Sequence, residues 1–118
     1  MTIDSNIIIA YLSNDEQVVQ TIMRWREEGI ALFLSSVVET EVLSYSNWKV
    51  EEQRAVEQFL KENFTLIPFD RTLARIAAEI RRGSKIKFPD AAIAATALLT
   101  HTPLVTRNTR DFKQVPNL

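Results

Sequence analysis

The 118-residue chain contains no cysteine, so disulfides and thiolate zinc sites do not arise. Its one histidine, His101, is too little for a histidine-centred metal site or a Ser-His-Asp triad, and its expected place is the end of a helix. Long hydrophobic runs are missing as well. The longest uncharged stretch, Ala91 to Thr106, carries Thr, His and Pro and falls short of the ~18 apolar residues that a membrane span requires. The early apolar run is short and follows an acid rather than bases, unlike a secretory leader. No repeat, low-complexity tract or linker interrupts the chain. The expectation is a soluble, cytoplasmic protein with one compact domain over residues 1–118, long enough to bury roughly two-thirds of its unfolded surface.

Net charge is also scarce, at −1, but it hides a polarity along the chain. Residues 1–70 hold 12 acids and 5 bases, whereas residues 71–118 hold 3 acids and 9 bases, a balance of −7 against +6. A basic second half is a mild sign of an anionic partner, and on charge alone solvated helix faces are the better account. The three acids in that half are Glu79, Asp90 and Asp111.

What is present reads as short apolar strands alternating with helices. "MTID" is a strand ending at its acid, and "SNIIIAYL" is a short helix capped by Ser5 or Asn6. A second helix spans about Asn14 to Glu28, with Val18, Val19, Ile22 and Trp25 near helical spacing and Gly29 as its stop. "IALFLSS" is a buried strand, followed by helices over Val37 to Ser46 and Val50 to Glu62, the latter turning Val56, Phe59 and Leu60 inward. "FTLIPF" is a strand stopped by Pro68. Asp70 caps a helix with the stripe Leu73, Ala74, Ile76, Ala77 and Ile80, which ends at Gly83 after Arg81 and Arg82. "PDAAIAATALL" is apolar on nearly every side and predicts a deeply buried helix. "PLVT" is the last clear strand, and a further short one is expected near Val115. This alternation implies a parallel sheet covered by helices, with ligands beyond the carboxyl ends of its strands.

Asp4 and the residues after "PLVT" fall at that edge, and the helix from Pro89 can present Asp90 there. With Glu41, four acids stand out, and each has a structural use of its own. Asp4 can cap the first helix, Asp90 suits the positive end of its helix, and Asp111 can serve a turn. Glu41 points along a mostly apolar stripe beside Val37, Val38 and Tyr45, but helical spacing leaves Glu39 equally open. Brought together, carboxylates about 5 Å apart repel by roughly 3 kcal/mol at an effective dielectric near 20. A cation must then sit among them. With no thiolate to offer, the fitting one is a hard divalent ion, Mg2+ or Mn2+, bound through oxygen and retaining several waters. An acidic metal site flanked by bases suits cleavage of a polyanion.

The motifs "IDSNIIIAYL", "SSVVETEVL", "FPDAAIAATALL" and "LVTRNTRDF" occur in that order along essentially the whole chain. In them the sequence resembles the PIN-domain nucleases, and among those the short VapC-like toxins of toxin–antitoxin pairs. The resemblance implies an α/β fold in three layers, with a central parallel sheet flanked by helices. It implies a metal-dependent endoribonuclease that uses Mg2+ or Mn2+ and leaves a 5′-phosphate and a 3′-hydroxyl. Its metal-binding acids fall on Asp4, Glu41, Asp90 and Asp111, and the distance from Ser35 selects Glu41 over Glu39. Thr106 and Asn108 match polar residues that position water, metal or phosphate. Lys85, Lys87, Arg107 and Arg110 are the bases nearest these motifs and the candidates for RNA phosphate contacts, with solubility as their alternative role. A homodimer and a small antitoxin covering the acidic groove are implied partners. Two features depart from the pattern. "SYSNW" replaces the small loop residue after the glutamate helix, and the chain is slightly short.

Other readings fit less well. A haloacid-dehalogenase site needs a second aspartate where Asn6 stands. A receiver domain needs an acidic pair near the first strand and an aspartate on a central one, and "FTLIPF" offers only Asp70 beyond a proline. A non-catalytic RNA- or protein-binding PIN module would lack one of the four acids. A PIN nuclease of routine RNA processing would carry the same acids as a toxin.

Overall fold

The computed structural model describes residues 1–118. Its elements are β1 (Thr2–Ile3), α1 (Ser5–Leu12), α2 (Glu16–Glu27), β2 (Phe33–Ser35), α3 (Ser36–Ser44), α4 (Val50–Asn63), β3 (Thr65–Ile67), α5 (Arg71–Gly83), α6 (Phe88–Thr100), β4 (Leu104–Val105) and α7 (Thr109–Phe112). The four strands form one parallel sheet in the order β3-β2-β1-β4. Register pairs Thr2 with both Phe33 and Leu104, and Leu34 with Leu66. This is the parallel sheet flanked by helices that the alternating pattern predicts.

Side-chain caps fix most helix starts. Asp4, Asp15, Ser35 and Asp70 each accept a backbone N–H at the first turn of α1, α2, α3 and α5. The cap of α1 is therefore Asp4, not Ser5 or Asn6. Helix α2 begins two residues later than its periodicity indicates, because Asn14 lies in the left-handed region (φ 61°). Gly29, at φ 73°, closes α2 in the way the sequence leads one to expect. Of the strand read from "IALFLSS", only Phe33 to Ser35 form β2: Ile30 to Leu32 precede it, and Ser36 already belongs to α3. His101 caps α6 in a left-handed conformation (φ 53°) while Thr102 N–H bonds back to the Ala97 carbonyl.

Two apolar clusters hold the layers together. The first gathers Ile3, Ile7, Ile8, Ile22, Leu34, Val38, Val42, Val56 and Leu60 from β1, β2 and α1 to α4. The second gathers Leu73, Ala77, Ile80, Ala91, Ala94, Ala95 and Phe112 between α5, α6 and α7. Helix α6 joins them. Its residues Ala91 to Ala97 are all buried, with Ile93 in the first cluster. Small alanines let α5 and the sheet approach this helix closely while still removing apolar surface from water.

Two expectations need correction. Ala74 is exposed, since Leu73, Ala77 and Ile80 alone form the buried stripe of α5. Val115 forms no strand. It is buried beside Phe112 in the second cluster, so its apolar character reflects packing against helices rather than a ladder.

Candidate active site

From β1 the chain proceeds to β2 and β3 on one side of the sheet, and β4 returns to the other side of β1. The order reverses between β1 and β4, which is where open parallel sheets leave a crevice beyond their carboxyl ends. Asp4 and Thr106 are the residues that follow those two strands. Asp4 N–H continues the ladder to the Val105 carbonyl at 3.0 Å, which holds the two exits side by side.

Asp4 is only 4% exposed, and its burial is offset by donors on both oxygens. Oδ1 accepts from Ser5 N–H at 2.7 Å; Oδ2 accepts from the Thr106 hydroxyl at 2.7 Å and from Asn6 Nδ2 at 3.3 Å. Thr106 in turn accepts Asn108 N–H at 2.9 Å. Its one proton is thereby committed to Asp4.

Glu41 enters from α3, which packs against α1. Its residue is half-buried, yet its Oε1 is out of solvent and has no hydrogen-bond partner, the one such buried side-chain atom in the chain. Burial pushes its carboxyl above the ordinary carboxylate range, a nearby Ser5 hydroxyl pulls it back in part, and the charges of Asp4 and Asp90 push it further up. Asp90 sits in the first turn of α6 and is also half-buried. Burial raises its pKa first, then Asp4 and Asp111, while Lys87 opposes the rise. Asp111, on α7, is exposed and accepts from Asn108 Nδ2 at 2.9 Å.

The fold therefore sets Glu41 within the fields of Asp4 and Asp90, and Asp90 within the fields of Asp4 and Asp111. It does not close them into a cage: no group of three or more Asp, Glu or His side chains is gathered tightly enough to hold an ion directly. Like charges favour that spacing, and Mg2+, which keeps much of its water and uses only one or two carboxylates, does not demand a tighter one. The donor set is all oxygen, and the unpartnered Glu41 Oε1 is a buried acceptor in want of a positive or donating group. These residues fit a hard divalent cation.

The candidate bases separate into two groups. Lys85 and Lys87 line a cleft of about 130 Å3 together with Ile86, Asp90, Asp111 and Gln114. Arg107 is turned elsewhere, since its guanidinium pairs with Asp15 at the start of α2. It borders a groove formed by Ile7, Val18, Ile22 and Trp25. Arg110 is exposed on α7. Three participants escape a reading of the sequence. Asn6 was legible there only as a cap, although it stands in the same Asp-Ser-Asn stretch as Asp4. Gln114, which accepts Lys85 N–H at 3.3 Å and donates to the Asp111 carbonyl at 3.0 Å, gives no signal at all. Asp15 looks like a helix cap, which it also is.

Matched against protein families, residues 1–118 fit the PIN domain. The chain belongs to the PIN-domain family. Among its relatives, the Ribonuclease VapC of Rickettsia bellii (strain RML369-C) is 30% identical over 128 aligned positions, covering 100% of this chain and 92% of the relative. A solved toxin-antitoxin complex from Klebsiella pneumoniae contains a chain with 30% identity and a TM-score of 0.83, over 98% of this chain and 92% of that one. FitAcB from Neisseria gonorrhoeae superposes with a TM-score of 0.78 at 26% identity, over 96% and 91% of the two chains. Within the PIN family, this chain is thus similar to a VapC ribonuclease and to a chain of a toxin-antitoxin complex. No helix in it is long and apolar enough to cross a membrane.

Proposed function

We propose that this PIN domain, acting as one unit over residues 1–118, is a metal-dependent endoribonuclease and the toxin of a toxin–antitoxin pair. The single observation that carries the metal site is the buried, unpartnered Oε1 of Glu41 beside Asp4 and Asp90. Asp4, Glu41 and Asp90 would hold the principal Mg2+ or Mn2+, and Asp111 would hold a second ion or a water-mediated contact. When bound, such an ion activates water and neutralises charge on a phosphodiester oxygen.

The rest of the work falls to the chain's own residues. Thr106 donates its proton to Asp4 and so orients that carboxylate. Asn108 does the same for Asp111. Lys85 and Lys87 line the cleft with Asp90 and Asp111 and would meet backbone phosphates near the cut. Arg110 is exposed for the same task, and Arg107 joins only by leaving Asp15.

The similarity to a ribonuclease VapC and to a chain of a toxin–antitoxin complex supports the substrate class and the antitoxin partner. A homodimer and cytoplasmic action complete the proposal. In the test, the chain is freed of any co-purifying antitoxin and given RNA with Mg2+ or Mn2+. Cleavage should appear, stop in EDTA, and vanish in Asp4→Asn with the fold intact by circular dichroism. A folded Asp4→Asn variant that still cuts would overturn the assignment. Growth arrest on expression of this chain alone, relieved by a small adjacent gene product, separates a toxin from a nuclease of routine RNA processing.

A further inference from the structure

We propose that Asn6 is a positioning residue for the acidic site, acting as a brace between Asp4 and the turn that carries Asn108 and leads to Asp111. This inference rests on the proposed metal-dependent cleavage. Asn6 lies in the first turn of α1, but its side chain does not serve that helix, whose cap is Asp4. It reaches across to the exit of β4 instead. Nδ2 donates to Asp4 Oδ2 at 3.3 Å and to the Thr106 hydroxyl oxygen at 3.3 Å, and Oδ1 accepts from Arg107 N–H at 3.2 Å.

The amide has only one workable orientation. Turned over, its oxygen would face the Asp4 carboxylate and its NH2 would face the Arg107 N–H, acceptor on acceptor and donor on donor. The bonding around Thr106 is similarly forced, because its single proton goes to Asp4 at 2.7 Å and its lone pairs take Asn108 N–H and Asn6 Nδ2. Asn6 therefore touches three consecutive parts of one network: the first acid, the hydroxyl that orients it, and the backbone of the next residue. Asp15 holds the same turn from α2 through the Arg107 side chain. Beyond the turn, Asn108 orients Asp111. Removing the amide frees the turn to drift from Asp4, so Asp4 and the Asp111 that Asn108 orients lose their common frame. Residues that orient ligands in this way typically affect metal affinity or activity by about 10–100-fold.

The test compares Asn6→Ala with Asp4→Asn in the purified chain. Mn2+ binding is measured by calorimetry without RNA, kcat and KM by RNA cleavage, and Arg107 amide protection by hydrogen exchange. Asn6→Ala should weaken Mn2+ binding and lower kcat, each by about 10-fold or more, while KM for RNA stays within about twofold. A merely structural role would expose the Arg107 amide and lower Tm but leave Mn2+ affinity and kcat unchanged, and that result would overturn the proposal. Where Asn6→Ala does not fold, Asn6→Ser carries the test, since its hydroxyl is too short to span to the turn. If Asp4→Asn itself still binds Mn2+ and cuts RNA, the proposed function fails. If Asp4→Asn is dead and the Asn6 variants behave as the parent, only the role of Asn6 fails.

Discussion

Glu41→Gln should abolish cleavage and, in the absence of metal, make the protein more stable. The charge on Glu41 is raised in energy by burial and by Asp4 and Asp90, and its Oε1 has no donor. A buried polar group left unsatisfied costs about 1–3 kcal/mol, and more when charged. Because the residue as a whole is only half-buried, solvent screening discounts this to about 1–2 kcal/mol. A glutamine keeps the shape, loses the charge and can turn its NH2 toward the neighbouring carboxylates. At about 3–6 °C per kcal/mol for a chain of this size, Tm in EDTA at pH 7.5 should rise by about 3–12 °C.

The pH dependence fixes the sign. The folded-state pKa of Glu41 lies above its ordinary value, so the unfolded chain gives up this proton first as pH rises. Folded stability therefore falls with rising pH across the window between the two values and stays low above it. Acidification toward the ordinary carboxylate range returns the proton, and the gap between parent and Glu41→Gln should close. Saturation with Mg2+ works in the opposite direction, adding about 1.4 kcal/mol to the parent at ten times its Kd and less to the variant. Scanning calorimetry at pH 7.5 and pH 4.5, with EDTA and with Mg2+, reads all four arms. A lower Tm for Glu41→Gln in EDTA at neutral pH, or a gap indifferent to pH, would refute the reasoning.

Other outcomes follow from neighbouring contacts. Thr106→Val removes the 2.7 Å donor to the 4% exposed Asp4 and should cost about 1.5–3 kcal/mol by thermal unfolding, with Thr106→Ser restoring most of it. Asp15→Asn keeps a competent cap on α2 but releases Arg107. On an Asp4→Asn background that binds without cutting, the salt dependence of RNA affinity should steepen by about 0.7 per decade if the guanidinium reaches a phosphate, and an unchanged slope would remove Arg107 from the interface. Lys85→Ala and Lys87→Ala should each flatten that slope by a similar amount. Only Lys87→Ala should also move the acid limb of the cleavage profile to higher pH, because Lys87 is the charge that holds Asp90 down.

The fold was largely legible because its signals are local. An acid or serine after a short apolar run marks both the end of a strand and the cap of the next helix, as Asp4 and Ser35 show. The seven buried residues from Ala91 to Ala97 follow from a helix with almost no polar face. Where two local signals compete, the sequence stays silent. Asp4, Ser5 and Asn6 are all good caps, and only the continuation of the ladder through Asp4 N–H decides among them. Val115 has strand-like composition, but it packs beside Phe112 of α7 in the second cluster instead of joining the sheet.

The site divides along the same line. In a parallel sheet every strand delivers its carboxyl end to one edge, so a residue just past a strand reaches that edge however far apart the strands lie in sequence. Asp4 and Thr106 are legible for that reason, despite a sequence separation of 102. The direction of a long side chain carries no such guarantee. Arg107 follows Thr106 directly, yet its guanidinium is drawn to Asp15, 92 residues away. Asn6 likewise turns from its own helix to a backbone amide 101 residues distant. Both contacts depend on how α1, α2 and the β4 exit dock together. Strand boundaries locate the carboxylates, and docking decides which bases and amides serve them.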